Sequence, residues 1–173
     1  AKTGARLMAQ QSNGRIARGA GRVAVERVPY IIDQAVAAFA DTDDVVLAGA
    51  RAPVGFFAYP GKPSSMLPQG CAVLDLAGPE TDLGAAVAAL AEAVGVGGVA
   101  PRLSPRVLPA RPGGALTPDA IAVAIARHMP DDAIVCDESV TSGRDFFRAT
   151  HGAAPHDFLQ LTGGAIGIGL PLA

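Results

Sequence analysis

Three stretches carry residue types that could do chemistry. Leu161–Pro171 reads LTGGAIGIGLP. A glycine pair where a strand gives way to a helix lets backbone approach a ligand closely, because no Cβ stands between them. The same pair also serves as a packing turn in any α/β protein. It is not the dinucleotide fingerprint, since no G-x-G-x-x-G spacing opens the helix. The second stretch is Asp137–Phe146, DESVTSGRDF. Glu138, Ser139, Thr141 and Ser142 offer an acid and three hydroxyls, and hydroxyls with helix-start N–H groups suit phosphate oxygens. Alternatively, Thr141 or Ser142 caps the helix that holds Phe146. The third stretch, FFAYPGKPSSM, sets Tyr59 and Lys62 beside Pro60-Gly61. Those two side chains could touch a ligand or partner, but Pro-Gly is turn chemistry. No nucleophile elbow, P-loop or metalloprotease motif occurs, and no catalytic dyad can be assigned.

The elements that would position these stretches alternate along the chain. A strand is expected at Arg6–Ala9. Ile32, Val36 and Phe39 recur at helical spacing within Ile31–Ala40. Asp44–Ala50 (DVVLAGA) and Ala72–Leu76 (AVLDL) are short continuous apolar runs, the pattern of strands buried on both faces of a parallel sheet. Leu83–Val94 is an Ala-rich helix that stops at a glycine run. Residues 95–114 then hold five glycines and four prolines, a linker by composition. The domain reading is 1–94, linker 95–114, and 115–173. Thr117 is an N-cap, Pro118 fits the first helical position, and Asp119 favours the positive end of the helix dipole. Ile121, Ala124, Ile125 and His128 share one face of that helix, which Pro130 ends. Ala133–Cys136 is a buried strand with Asp137-Glu138-Ser139 at its carboxyl end, the edge where α/β sheets hold ligands. Asp157–Leu161 is another strand, running into Thr162-Gly163-Gly164.

Composition narrows the function classes. The 173 residues are half apolar, with no Trp and 5% aromatics. Ala, Val, Leu and Ile dominate, which suits an α/β fold and not a stacking platform for single-stranded nucleic acid. The net charge is −2. The basic cluster Arg6, Arg15, Arg18, Arg22 and Arg27 reads as a solvated loop face, since no nucleic-acid motif accompanies it. Cys71 and Cys136 lie far apart in apolar runs and read as buried free thiols; the three histidines have no zinc spacing. The opening residues lack the apolar region of a signal peptide, and no run reaches the roughly 20 apolar residues of a membrane span. A cytoplasmic protein follows. The apolar close at GGAIGIGLPLA and the helix-tail opening at AKTGARLMA look cut from a longer chain.

The order of these pieces carries a resemblance. A Pro/Gly linker, then LTPDAIAVAIARHMPDDAIVCDES, then LTGGAIGIGLP, resembles the opening of the diphosphate-binding domain of thiamine-diphosphate enzymes, in the acetolactate synthase-like and benzoylformate decarboxylase-like branch. The earlier AGARAPVGFFAYPGKPSSM is similar to the later part of that family's central domain. The resemblance implies a three-layer αβα Rossmann-like parallel sheet, followed by the start of a second α/β domain. It implies thiamine diphosphate and Mg2+ as cofactors of a parent enzyme acting on 2-keto acids by decarboxylation and carboligation. It implies a homodimer or homotetramer, with no nucleic-acid or membrane partner.

By position, the resemblance places Gly164 where a backbone carbonyl meets the aminopyrimidine. It places Ile166 where a bulky apolar residue wedges beneath the bent cofactor, with Gly163 in the same turn. Ser139 and Thr141 fall where the family sets groups near the diphosphate. The family's metal-binding G-D-G…N pattern would lie downstream, and its activating glutamate belongs to a separate N-terminal domain; Glu138 is not that residue. Arg51-Ala52-Pro53 stands in place of the Arg-Phe-Asp-Asp-type signature linked to flavin, so the resemblance does not extend to FAD. The chain itself is therefore expected to be inactive. Two alternatives stay open: a benzoylformate-type or oxalyl-type 2-keto acid decarboxylase, or a non-catalytic nucleotide-binding or oligomerisation module.

Overall fold

The computed structural model describes residues 3–78, 80–162, 164 and 166–172. The fold is α/β, and the chain divides into two compact units. Residues up to Gln11 and Glu26–Ala100 form the first; Ser12–Val25 and Pro101 onward form the second. Residues 12–25 thus pack with the later half of the chain, whereas their position in sequence groups them with the earlier half.

The first unit contains β1 (Met8–Ala9), which pairs in parallel with β3 (Glu26–Arg27). It also contains β4 (Asp44–Ala48) and β5 (Ala72–Ala77), a second parallel pair in which Val46 faces Leu74. Helix α1 (Ile32–Phe39) buries Ile32, Ala35 and Phe39 against Val28 and Met66, with Val36 partly buried beside them. That is the helical stripe the spacing predicts. Helix α2 (Leu83–Ala93) starts at Asp82, whose carboxylate accepts from Ala85 N at 3.0 Å. The capping satisfies one of the free N–H groups of the first turn. None of the residues of α2 is buried. The strands β4 and β5 pair in parallel as predicted, but they are not covered on both faces: Val46, Val73 and Leu74 are exposed.

The second unit is built on a three-stranded sheet of order β2-β7-β6, from β2 (Arg15–Arg18), β6 (Ala133–Asp137) and β7 (His156–Gln160). The β6–β7 pair is parallel. β2 runs antiparallel along the other side of β7, an edge strand that the arginine-rich sequence hides. Helix α3 (Pro118–His128) begins as predicted: Thr117 Oγ1 accepts from Ala120 N at 3.1 Å, and Pro118 occupies the first turn. Its buried face is Ala122 and Ala126, which pack with Met129, Phe146, Ala153 and Phe158. Ile121 and Ile125, on the face the periodicity favours, are exposed instead. Small residues let α3 lie close to the sheet, and close packing decides the matter over hydropathy.

Two further expectations are corrected here. Arg18 is no part of a solvated face: it is 5% exposed. Its Nη1 donates to Phe147 O at 2.5 Å and to Thr150 Oγ1 at 2.8 Å, and its guanidinium lies 3.5 Å from the Phe147 ring centroid. A buried charge survives only with such partners. Neither Thr141 nor Ser142 caps α4 (Phe146–Ala149); Asp145 holds the cap position, without a side-chain bond. The two cysteines are free, and both are half-buried. Cys136 lies within β6, while Cys71 lies just before β5.

Part of the Pro/Gly-rich stretch is firmly docked. Ser104 is buried, and its backbone exchanges hydrogen bonds with Arg22 and Gly21 at 2.8 and 2.9 Å. Val107 N donates to Gly152 O at 3.1 Å. A Cβ on Gly152 would sit 2.4 Å from Val107 O, so only glycine allows that approach.

Candidate functional site at the carboxyl edge of β6 and β7

Because β6 and β7 are parallel neighbours, with Asp137 opposite Gln160, both strands deliver their following loops to one edge of the sheet. The first loop starts at Asp137. Its Oδ1 accepts from Ser139 N at 3.0 Å and also from the Ser139 hydroxyl. Ser142 N and Oγ both donate to Ser139 O, at 3.0 and 3.1 Å. These bonds wind residues 137–142 into a tight turn. Val140 is held at φ +43 within it. A β-branched residue there is strained, and such strain persists only where neighbours enforce it. Gly143 closes the turn: a Cβ there would fall 1.7 Å from Ser139 Oγ.

The second loop follows β7. Gly164 and Gly167 adopt φ +73 and +100, conformations that favour glycine. The turn leads into α5 (Gly169–Leu172). Glu138 reaches across from the first loop: Oε1 accepts from Gly167 N, and Oε2 from Gly169 N at 2.7 Å. A Cβ on Gly169 would lie 2.8 Å from Glu138 Oε2, so this glycine also makes room for the carboxylate.

The residues singled out from sequence fall as follows. Ser139, Thr141, Gly164 and Ile166 all belong to these two adjacent loops. Gly163 lies outside the described residues. Thr141 is exposed. Ile166 is 79% exposed and Leu170 93%, so the glycine turn presents bare apolar side chains. Ser139 has one hydroxyl proton, and Asp137 holds it; donation to a phosphate would require breaking that bond. Sequence reasoning missed the bridge from Glu138 and the glycines that admit it. The one signal was spacing: Gly167 and Gly169 alternate just before Leu170-Pro171, and Gly143 follows Ser139 by one turn.

No other described group competes as a chemical centre. His156 is 2% exposed, at the opposite end of β7. Its Nδ1 lies 2.7 Å from Ala154 O, which fixes the proton on that nitrogen. Burial pushes its pKa below the ordinary value; the Ala154 bond opposes this, Arg18 adds to it, and Asp157 opposes it. Nε2 is buried without a hydrogen-bond partner among the described residues. An open groove of about 260 Å³ holds Asp119, Asp145, Arg148 and His151, and of the two loops only Asp145, just before α4, reaches it. Among the described residues no three His, Cys, Asp or Glu side chains converge to hold a metal. No helix among them is long and apolar enough to cross a membrane.

An α/β chain with two loops meeting at the carboxyl edge of a parallel strand pair defines the class. Its relatives give the particulars. Over 171 residues, 99% of this chain, it is 47% identical to a Mycobacterium tuberculosis protein provisionally named acetolactate synthase large subunit IlvX. A solved structure from Mycobacterium smegmatis, described as that of a provisionally assigned thiamin diphosphate-dependent enzyme, superposes with TM-score 0.62 over 98% of this chain at 23% identity. The chain spans 33% of the first relative and 36% of the second, about a third of each. No family model matches the chain. The resemblance read from DESVTS and LTGGAIGIGLP thus meets a relative bearing the acetolactate synthase name, and the α/β fold meets that of the solved structure.

Proposed function

We propose that this chain forms part of a thiamine-diphosphate-dependent, acetolactate synthase-like enzyme acting on 2-keto acids. The observation that carries the reading is the pairing of the DES turn with the glycine turn on one sheet edge, in a chain whose relative bears that name. The glycine turn fits the cofactor's apolar and ring portions. Gly164 stands in an open, positive-φ turn, and Ile166 offers an uncovered aliphatic side chain beside it. Thr141 has an exposed hydroxyl for a diphosphate oxygen. Ser139 fits this role only through its backbone or after leaving Asp137. The resemblance assigns Mg2+ to a G-D-G…N pattern and not to these loops.

When bound, thiamine diphosphate supplies the nucleophilic carbon and the electron sink for 2-keto acid chemistry. This chain's residues contribute orientation. Gly164 would present its carbonyl to the ring, and Ile166 would hold the bend and keep water from one face; Gly163, outside the described residues, is assigned to the cofactor by the resemblance alone. The resemblance assigns the activating glutamate to a separate N-terminal domain, and in this reading the chain alone is inactive. In this reading the parent works as a homodimer or homotetramer in the cytoplasm, and Arg51-Ala52-Pro53, in place of the flavin-linked signature, argues against FAD.

Titration calorimetry with thiamine diphosphate and Mg2+ gives the first test: the isolated chain shows no tight stoichiometric uptake. The longer reading frame, purified and mixed with the same cofactors and pyruvate, releases carbon dioxide. Absence of cofactor-dependent release across several 2-keto acids would sink the reading. Release without carbon–carbon bond formation would select the decarboxylase alternative. The exposed Ile166, Leu170 and Leu172 favour one second reading, an oligomerisation module, since bare apolar surface of this kind is normally covered. Light scattering of the isolated chain discriminates: a defined oligomer without cofactor supports the module.

A further inference from the structure

We propose that Glu138 is a positioning residue, a carboxylate clamp that sets the glycine turn in place from the neighbouring strand. The proposal deepens the function given above and rests on it only where the cofactor is concerned. Four observations carry it. Glu138 follows the last residue of β6, so its backbone is anchored in the sheet. Its two oxygens accept from two different backbone N–H groups, Gly167 and Gly169, 29 and 31 residues away. Both donors flank Ile168 and lie immediately beyond Ile166, the exposed side chain of the turn. A Cβ on Gly169 would lie 2.8 Å from Glu138 Oε2, so a side chain there would have to displace the carboxylate from its present position.

The physical logic is the obligation of backbone donors. A glycine-rich segment loses more conformational freedom on ordering than any other, and needs specific bonds to hold one shape. N–H groups paired to an ionised carboxylate make bonds roughly twice as strong as neutral ones. One side chain here supplies two such bonds. It ties the position of Gly164 and Ile166 to the β6 edge, and therefore to Ser139 and Thr141 on the adjacent turn. A site assembled from two loops needs such a brace, because misplacement by about 1 Å is costly in catalysis. Asp137 plays the corresponding part within the first loop, accepting from Ser139, so the two consecutive acids each order one side of the edge.

The test uses the 173-residue chain, with amide exchange and amide proton shifts read at Gly167 and Gly169. In Glu138→Ala both amides exchange about ten-fold faster or more, and both lose the downfield shift of a charged hydrogen bond. Glu138→Gln keeps one acceptor oxygen at the same reach, so one amide is restored and the other is not. Glu138→Asp, a methylene shorter, restores neither. Amides of Phe158 and Ala126, in the core, stay unchanged in all three, which separates a local clamp from general unfolding. Wild-type protection at Gly167 and Gly169 in Glu138→Ala overturns the clamp. A second titration adds thiamine diphosphate with Mg2+ and follows the Gly164 and Ile166 amides. Weak shifts in the wild type that vanish in Glu138→Ala and partly return in Glu138→Gln support positioning for the cofactor. If the clamp amides respond to mutation but thiamine diphosphate moves Gly164 in no variant, the clamp stands and the cofactor reading fails.

Discussion

The two longer parallel strand pairs, β4–β5 and β6–β7, begin from similar sequence and end in different surroundings. DVVLA and AVLDLA pair over Val46 and Leu74, and both of those side chains stay half in solvent, at 51% and 56% exposure. AIVCD pairs with HDFLQ, and there Phe158 is wholly buried. Strand apolarity does not account for the difference, since β4 and β5 are the more apolar pair. Neighbours do. β7 has a strand on each side, and Ala122 and Ala126 of α3 with Phe146 of α4 pack over its face. Among the described residues β4 and β5 pair only with each other; Leu47 and Ala77 are buried, but α2, which lies against β5, buries none of its residues. A strand is specified by its own residues, but its burial is specified by what else is brought to it.

The largest effect expected from this contrast is at Phe158. Its ring packs against Phe146 at 5.7 Å and edge-on to Phe147 at 5.2 Å. Phe158→Ala removes the centre of that cluster and should cost about 3–5 kcal/mol. Urea unfolding followed by amide NMR in the second unit measures it. Tyrosine fluorescence cannot, because Tyr30 and Tyr59 both lie in the first unit. A loss below about 1 kcal/mol would mean that the second unit has no tighter core than the first.

Arg18 comes next. Replacing it with Met keeps most of the stem packing on Phe147 but leaves the Phe147 carbonyl without that donor and Thr150 Oγ1 without that partner. The expected cost is about 2–3 kcal/mol, the range for hydrogen bonds to a charged group. Thr150 retains its own bond to Phe146 O at 3.0 Å, so the damage should be confined to α4 and β2. Exchange rates at Ala17 and Phe147 check this. Little change would favour the opposite view, in which a buried charge is replaceable by an apolar side chain.

Arg18 also shows where the sequence stopped being legible. The alternation of strand and helix, the Thr117 cap, the Asp44 and Ala72 strands and the glycine turn all follow from local rules: periodicity, capping chemistry, positive φ. Each depends on residues within a few positions. β2 is RIAR, and an arginine at each end looks solvated unless one knows that Phe147 and Thr150 arrive from 129 and 132 residues away. β7 hides its alternation for the same reason: its buried positions are His156, Phe158 and Gln160, two of them polar. At the candidate site, the strand ends that bring Ser139 and Thr141 to the same edge as Gly164 and Ile166 were legible. The bridge from Glu138 to Gly167 and Gly169 was not, because a carboxylate's partner across two loops leaves no mark at either position alone.

His156 gives a smaller, pH-dependent way to sharpen the contrast. Its folded-state pKa is lowered from 6.5, so the unfolded chain takes up the proton first as pH falls. Its share of stability is fully present above about pH 6.5 and is lost progressively below that. Burial is the main physical reason, and Nε2, without a partner among the described residues, has no acceptor to offset it: as a lone pair it is tolerated in the core, but as a charged N–H it would need one. His156→Asn keeps a donor for Ala154 O and removes the titration. Unfolding of the second unit should then vary less between pH 5 and 7 than in the wild type, with the first unit's tyrosine signal as an internal control. An equal pH slope in the variant would assign the acid sensitivity to other groups.

The smallest effect belongs to the exposed pair. Val46→Thr with Leu74→Thr changes two side chains that touch solvent on facing strands of β4–β5. Thr keeps strand propensity at both positions. Each substitution should move stability by no more than about 0.5 kcal/mol, the usual range for surface changes. What should change is self-association. Among the described residues neither β4 nor β5 has a further strand partner, and an apolar two-stranded ribbon of this kind is a template for pairing with another chain. Light scattering at increasing concentration should show less association for the double variant than for the wild type. A stability loss near that of Phe158→Ala would instead show that Val46 and Leu74 are covered in solution, and the contrast between the two strand pairs would collapse.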